Sequence, residues 1–431
     1  MVSDLFISFI PVKFHLQMPR NKFALNIKNM YNFYMNILHV ISSRGWGGAE
    51  NSAAYLAKTQ IEHENNAYFF IHSLNRKLIT ILNSVNVPYF PTLDPERKNV
   101  FAVKKIIDVC RRHKIDIIHT HLATGCYLGV IAGNRLGIPV ISRINTYCGY
   151  PYYALADRLL FISDDLKNYF VKDYFQYEKF LNYKPGFIEN IVNGLFNFKF
   201  SRQGLNEIIS KSGKAYDTLP DKFSDYNKKV EGYEGFFNIG ITGRLTVEKG
   251  QQYLIEALDL LKEETETGGD TPVLADKPVM LHIVGSGKNE KNLLKTVAGK
   301  KLQNSVKFWG YQSDVRPFIN MFDIAVSYTT KEVFGLNNVE YMLMKKPCVS
   351  AYSGGMPELY GDTNILIKPN NPYALKEAFK KYANDPELMK LEAERGYERA
   401  AHLFSSEKIY NDTIKEYDLA IAHTKHIKET I

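Results

Sequence analysis

Two glutamates with seven residues between them, Glu332 and Glu340, flank Gly335 in the stretch Lys331-Glu332-Val333-Phe334-Gly335-Leu336-Asn337-Asn338-Val339-Glu340. Two cations, Arg244 and Lys249, lie in a second stretch bounded by Gly243 and Gly250. A guanidinium can hold phosphate oxygens with two parallel bonds while an ammonium acts as a point charge, so this pair could clamp a diphosphate. On one helix the two glutamates would be about 12 Å apart at ~1.5 Å per residue. A retaining hydrolase needs about 5–5.5 Å between its carboxylates, so Glu332 and Glu340 read instead as grips on different parts of one ligand. A third stretch, Ser353-Gly354-Gly355-Met356-Pro357-Glu358, could offer backbone N–H groups to phosphate or sugar oxygens. In isolation such charges more often belong to a solvated surface.

Such side chains need elements to gather them. Asp323 to Ser327 reads as a short buried strand and the residues after Gly335 as a helix through Met344, which puts Glu332 on a loop and Glu340 on the helix's first turns. Phe236 to Arg244 reads as another strand, followed by a helix from Gly250 to Lys262. Met280–Val284, Val306–Phe308, Cys348–Ser350 and Ile365–Ile367 supply further strands, and from Tyr373 the pattern is helical. Groups at the carboxyl ends of parallel strands face the crevice where open α/β sheets hold ligands.

An earlier unit has the same grammar. Ile37 to Ile41 is a continuous apolar strand that runs into Gly45-Trp46-Gly47-Gly48-Ala49-Glu50 and a helix through Lys58. Glycines there let the backbone approach an anion at a helix amino terminus, although a ligand-free tight turn reads equally well. Strands at Tyr68–Ile71, Ile115–His119, Val140–Ile144 and Arg158–Ile162 alternate with helices at Val100–His113, Gly125–Leu136 and Asp164–Val171, as in a doubly wound parallel sheet. His119, His121, Arg143 and Asn145 fall at strand ends expected to face one crevice. The paired histidines lack a third ligand in the sequence, so no metal is expected. Tyr147, Tyr150, Tyr152 and Tyr153 suit sugar stacking or a core.

A chain of 431 residues can fill two cores. Its net charge of +8 points to an anionic partner, a phosphorylated substrate or an acidic membrane surface. Without an arginine-rich run or a nucleic-acid motif, DNA and RNA are not expected. Four cysteines with no CxxC spacing argue against a disulfide framework or structural zinc and fit a reducing, cytoplasmic setting. No run approaches the roughly 20 apolar residues that span a bilayer. The apolar Leu5–Pro11 precedes a basic, aromatic stretch, which is the wrong order for a signal peptide; residues 1–34 read as a disordered extension or an upstream start ahead of Met35.

Taken in order, Gly47-Gly48-Ala49-Glu50, Ile117-Ile118-His119-Thr120-His121, Val192-Asn193-Gly194, Gly243-Arg244-Leu245 with Glu248-Lys249-Gly250, Val284-Gly285-Ser286-Gly287, Val306 to Gly310, and Glu332 to Glu340 with Gly354 to Glu358 form a set. From about Met35 to Phe404 the chain resembles the retaining, nucleotide-sugar-dependent glycosyltransferases of family 4 (group 1). That resemblance implies an α/β GT-B fold: two Rossmann-like, doubly wound domains facing a central cleft. The acceptor domain would be 35–195, a linker 196–235, the nucleotide-sugar domain 236–404, and 405–431 a helix crossing back. Arg244 and Lys249 would bind the donor diphosphate, Glu340 the ribose and Glu332 the transferred sugar. Backbone N–H groups of Phe334, Gly335 and Leu336 would complete the grip, with Gly243 at the loop's start and Gly47 and Gly48 approaching from the other domain.

The resemblance implies a nucleotide-sugar donor as co-substrate and a glycan or lipid-linked acceptor of the cell-envelope polysaccharide or lipopolysaccharide type. It also implies no cofactor and no metal, in line with the lack of an Asp-x-Asp motif, and a cytoplasmic enzyme with peripheral contact at the membrane's inner face. Two positions depart from the family pattern: Asn145 stands where a histidine is common near the reacting centre, and Val333 stands where glycine usually follows the glutamate. Asn145 can donate and accept but cannot titrate. The rival readings are a catalytically silent GT-B module that binds a nucleotide or glycan, and a sugar-nucleotide epimerase. A nicotinamide dehydrogenase would need a dinucleotide fingerprint that is absent.

Overall fold

The first sheet joins seven parallel strands: β1 (Asn36–Ile41), β2 (Asn66–His72), β3 (Tyr89–Thr92), β4 (Ile117–His121), β5 (Val140–Ile144), β6 (Arg158–Phe161) and β7 (Ser212–Lys214). Their order is β3-β2-β1-β4-β5-β6-β7. The computed structural model describes residues 34–93, 99–148, 151–174, 209–217, 219, 223, 226–264 and 271–430. All but Tyr34 of the amino-terminal extension, and also Tyr150 and Val192-Asn193-Gly194, lie outside them. The central strands are covered on both faces, which is why they read as unbroken apolar runs. Connections are helical: α1 (Gly48–Glu62), α2 (Arg76–Ser84), α3 (Val100–Arg112), α4 (Leu122–Leu136) and the short α5 (Asp164–Asn168). In α4, Gly125, Gly129 and Gly133 recur every four residues along one face. A side chain at any of them would collide with Val40, Thr120 or Val140, so this stripe lets the helix lie directly on the sheet.

β7 corrects the reading of 196–235 as linker and insertion. Ser212–Lys214 pairs with β6 from Leu159↔Ser212 to Phe161↔Lys214. Three polar residues carry no periodicity, and the strand is held by what it meets, including Glu416 packed against Gly213. β3 and α2 also escaped the sequence reading, because four partly exposed residues and a nine-residue helix give little pattern.

The second sheet repeats the plan. β8 (Phe237–Thr242), β10 (Lys277–Val284), β11 (Val306–Phe308), β12 (Ile324–Ser327), β13 (Cys348–Ala351) and β14 (Ile365–Ile367) run parallel in the order β11-β10-β8-β12-β13-β14, and β9 (Val273–Leu274) pairs antiparallel with β10. Its helices are α6 (Gln251–Glu264), α7 (Glu290–Gly299), α8 (Arg316–Met321), α9 (Leu336–Leu343), α10 (Met356–Tyr360), α11 (Pro372–Asn384) and α12 (Pro386–Leu403). In each sheet the winding reverses between two adjacent strands, β1/β4 and β8/β12. Ligands settle outside the carboxyl ends at such a switch point. The loops leaving β8 and β12 carry Arg244, Lys249 and Glu332.

A last helix, α13 (Ser406–Thr430), returns to the first sheet. The Tyr410 hydroxyl accepts from Asn65 Nδ2 at 2.9 Å, and Tyr417 accepts from Gln60 Nε2 at 3.0 Å. Glu416 takes the Arg158 guanidinium, with Nε donating at 2.9 Å.

Candidate functional site

Lys249 and Glu332 meet: the ammonium stands 2.6 Å from the carboxylate, with side chains 24% and 14% exposed. The pair joins the β8 and β12 loops at the switch point. Lys249 closes a short turn after β8, where Gly250 takes φ +71. Arg244, on the same loop, is exposed, and among the described residues no carboxylate pairs with its guanidinium. Its backbone oxygen is tied by Gln251 Nε2 at 3.0 Å, which fixes the loop while leaving the cation outward. Gly243, exposed, opens the loop at φ +141. One paired cation and one open one therefore stand beside a partly enclosed carboxylate.

The glycine stretch after β13 does different work from that expected. Gly355 N–H donates to the Glu332 carbonyl at 3.0 Å and Met356 N–H to Ser353 at 3.1 Å, so these donors are spent within the protein. A side chain at Gly354 would run into the Glu332 carbonyl, and one at Gly355 into that of Val333. The stretch is thus a backbone bed that sets the Glu332 loop. Gly354 also has φ +54 and lies against the Tyr147 hydroxyl. Gly354→Ala is expected to cost more than about 1 kcal/mol, since both space and dihedral oppose it. Urea unfolding checks this, and a stability equal to the parent would contradict the bed.

Gly335, at φ +73, caps α9 without any side-chain bond. The helix amino terminus at Leu336 is therefore uncapped by the protein and suited to an anion. Phe334 is 2% exposed, so its side chain belongs to the core. Glu340 sits one turn along α9, partly covered. Burial, and after it the charge of Asp314, pushes its carboxyl up to about 8 from an ordinary 4.5. The folded state therefore keeps this proton more readily than the unfolded one. The resulting stability is complete below about pH 4.5 and lost as pH rises through about 8. Glu340→Gln should lose less stability than the parent between pH 5 and pH 9. Equal losses in urea midpoints at the two pH values would refute this.

The two domains touch around these loops. A side chain at Gly48 would stand 2.9 Å from Leu336, so the α1 amino terminus, with Gly47 as its cap, abuts the α9 loop. Phe334 stacks on Tyr216 at 5.4 Å and meets Phe404 edge-on at 5.4 Å. Glu358 accepts from Lys214 Nζ at 2.7 Å, the Tyr216 hydroxyl at 2.8 Å and Asp164 N–H at 2.6 Å. The sequence pattern missed Lys214 and Tyr216, which sit in the supposed linker. Asn145 is half-buried just past β5, two residues before Tyr147, which lines the inter-domain cleft.

Three side chains expected at the crevice are elsewhere. His119, His121 and Arg143 are at most 2% exposed. α13 covers that face, with Tyr417 bonding His119 Nδ1 at 2.6 Å, while Asp217 and the Ala215 carbonyl hold Arg143. Tyr152 and Tyr153 are core residues, 1% and 0% exposed. The third histidine missing from the sequence reading is His39, beside His119 across the β1–β4 pairing. Gln60 Oε1 accepts from His39 Nε2 at 2.8 Å, so His39 Nδ1 accepts from His121 Nε2 at 3.0 Å and His121 Nδ1 is left bare. Burial, above all, drives all three imidazoles toward the neutral form, His39 to about 4. Yet both nitrogens of His39 are bonded and His119 Nδ1 is taken by Tyr417, which leaves bare only His119 Nε2 and His121 Nδ1, so the trio as folded offers a cation two ligand atoms where a metal site uses three or more.

Comparison with known proteins follows the same division. Residues 46–179 match the description "Glycosyltransferase Family 4" and residues 223–399 match "Glycosyl transferases group 1". The chain is 30% identical over 139 residues to N-acetyl-alpha-D-glucosaminyl L-malate synthase of Bacillus anthracis, covering 32% of this chain and 36% of that one. It is 28% identical over 170 residues to lipopolysaccharide core biosynthesis glycosyltransferase LpsE of Rhizobium meliloti, covering 39% and 45%. The match thus spans less than half the length of either relative. Among solved structures, Anabaena HepE in complex with UDP-glucose aligns with a TM-score of 0.67 at 19% identity, over 89% of this chain and all of that one. A glycosyltransferase from Rickettsia africae gives 0.70 at 17% identity, over 91% and 99%.

Proposed function

We infer that this chain, which belongs to the group 1 glycosyltransferases of family 4, moves a sugar from a nucleoside-diphosphate donor to a glycan or lipid-linked acceptor with retention of anomeric configuration. The observation that carries this reading is the Lys249–Glu332 pair at the switch point, with the open Arg244 guanidinium on the same loop. As the bond from the anomeric carbon to the phosphate oxygen breaks, negative charge builds on the departing diphosphate and positive charge on the sugar. Arg244 and Lys249 stabilise the first and Glu332 orients the sugar that carries the second. The uncapped α9 start, Phe334 to Leu336, adds N–H donors, Glu340 accepts from the ribose hydroxyls, and Gly47 and Gly48 close from the facing domain. The acceptor oxygen bonds the anomeric carbon on the face the phosphate leaves, and its proton passes to a diphosphate oxygen. Asn145 orients groups there as donor or acceptor. With two cations supplying the positive charge, this reading needs no metal and no cofactor.

The name of LpsE, lipopolysaccharide core biosynthesis glycosyltransferase, supports a cell-envelope acceptor, and the HepE complex with UDP-glucose supports a nucleotide-sugar donor. Nucleotide sugars are cytoplasmic reagents, and a chain of net charge +8 would be drawn to the anionic inner face of a membrane. No described helix is long and apolar enough to cross one. The test is incubation with UDP-, GDP- and ADP-sugars and candidate acceptors. Acceptor-dependent release of nucleoside diphosphate is expected, with NMR showing a product of the donor's anomeric configuration. Nucleotide binding without turnover on any acceptor would favour a silent module, for which Asn145 is the motive, and an epimerised donor without acceptor would favour an epimerase.

A further inference from the structure

We propose that the acceptor carries an anionic group, a phosphate or a carboxylate, held by Lys331 and Lys172 beside the transfer centre. This rests on the glycosyltransferase reading and names the chemistry of its second substrate. A cleft of about 340 Å³ opens between the domains, lined by Tyr147, Asp165, Tyr169 and Lys172 from the first and Lys331 and Gly354 from the second. That volume falls within the range of about 300–1,000 Å³ typical of small-molecule sites. It adjoins the centre: Lys331 directly precedes Glu332, and Gly354 is seated on the Glu332 carbonyl.

The charge inside is lopsided. Lys331 and Lys172 are both exposed, and among the described residues neither pairs with a carboxylate. The one lining carboxylate, Asp165, already accepts a hydrogen bond from the Tyr147 hydroxyl. Lys331 is not free to wander, because its ammonium rests 4.5 Å from the centre of the Tyr147 ring and 5.5 Å from that of Tyr169. Those rings meet edge to face at 5.2 Å, making a corner under the cation. A ligand with a carbon skeleton against that corner would present its anion to both ammonium groups. The donor's own diphosphate has Arg244 and Lys249, on the loop after β8. A neutral polyol could use Asp165, Asn168 and the two phenol oxygens as acceptors, but it would leave both ammonium charges without a counter-charge.

The experiment saturates the protein with whichever of UDP, GDP or ADP binds, then titrates sn-glycerol 1-phosphate, succinate and glycerol by calorimetry. At least one anion should bind and glycerol should not, with phosphate and carboxylate separated by which arm responds. Lys331→Gln and Lys172→Gln should each weaken that binding by about tenfold, as for one charge-assisted bond, with nucleotide affinity unchanged. Nucleotide binding with no anion binding, or anion affinity untouched in both variants, overturns the proposal while the donor reading stands. If no nucleoside diphosphate binds the parent protein, both readings fall together.

Discussion

Lys249→Met is expected to lower acceptor-dependent donor turnover by about 10²–10³, the usual consequence of removing one preorganised charge aimed at a developing anion. The loss should fall mainly on kcat, since the charge matters most when the diphosphate is leaving. Two effects act together. The departing phosphates lose a cation, and Glu332, only 14% exposed and 2.6 Å from the missing ammonium, keeps a negative charge with nothing beside it. An uncompensated carboxylate next to a leaving diphosphate repels it. The double variant Lys249→Met with Glu332→Gln therefore should not be slower by the product of the two single losses, because the pair acts as a unit. Steady-state release of nucleoside diphosphate measures all three. A single variant within threefold of the parent would remove Lys249 from the reaction.

What the sequence could disclose follows from where each signal comes from. Strands such as β1, β4 and β8 are buried on both faces and wear their position as apolar runs, so two doubly wound units could be read directly. The placement of Arg244, Lys249 and Glu332 beside one switch point was legible for a related reason: each lies just past such a strand, where the fold rule for strand ends applies. Long-range pairings are another matter. His39 and His121 are 82 positions apart and meet only because β1 and β4 are neighbours in the sheet, an order that no local pattern states. Likewise the N–H of Gly355 looked available for a ligand until the chain folded it onto the Glu332 carbonyl. Arg143 looked like a site residue at a strand end, but β7 and the segment after it, unpatterned and polar, close over that end.

That closure gives the largest stability effect expected here. Asp217→Ala should destabilise the protein by about 3–5 kcal/mol, because it strips the counter-charge from a guanidinium that cannot reach water. Arg143 and Asp217 are 2% and 6% exposed. One guanidinium nitrogen, Nη1, already lacks a partner. The other donates to the carbonyls of Ala215, at 3.0 Å, and Tyr216. Glu394→Ala, which breaks a pair with Lys345 whose side chains are 47% and 49% exposed, should cost no more than about 1 kcal/mol and serves as the control. If urea unfolding gives the two variants the same loss, the buried pair is not what holds this segment. The functional consequence follows from the chain itself: Tyr216 precedes Asp217 and stacks on Phe334, the residue beside the cap of α9. Freeing residues 215–217 loosens the support of that loop from behind. Nucleoside-diphosphate affinity should therefore fall in Asp217→Ala even below the onset of unfolding, while Glu394→Ala leaves it alone.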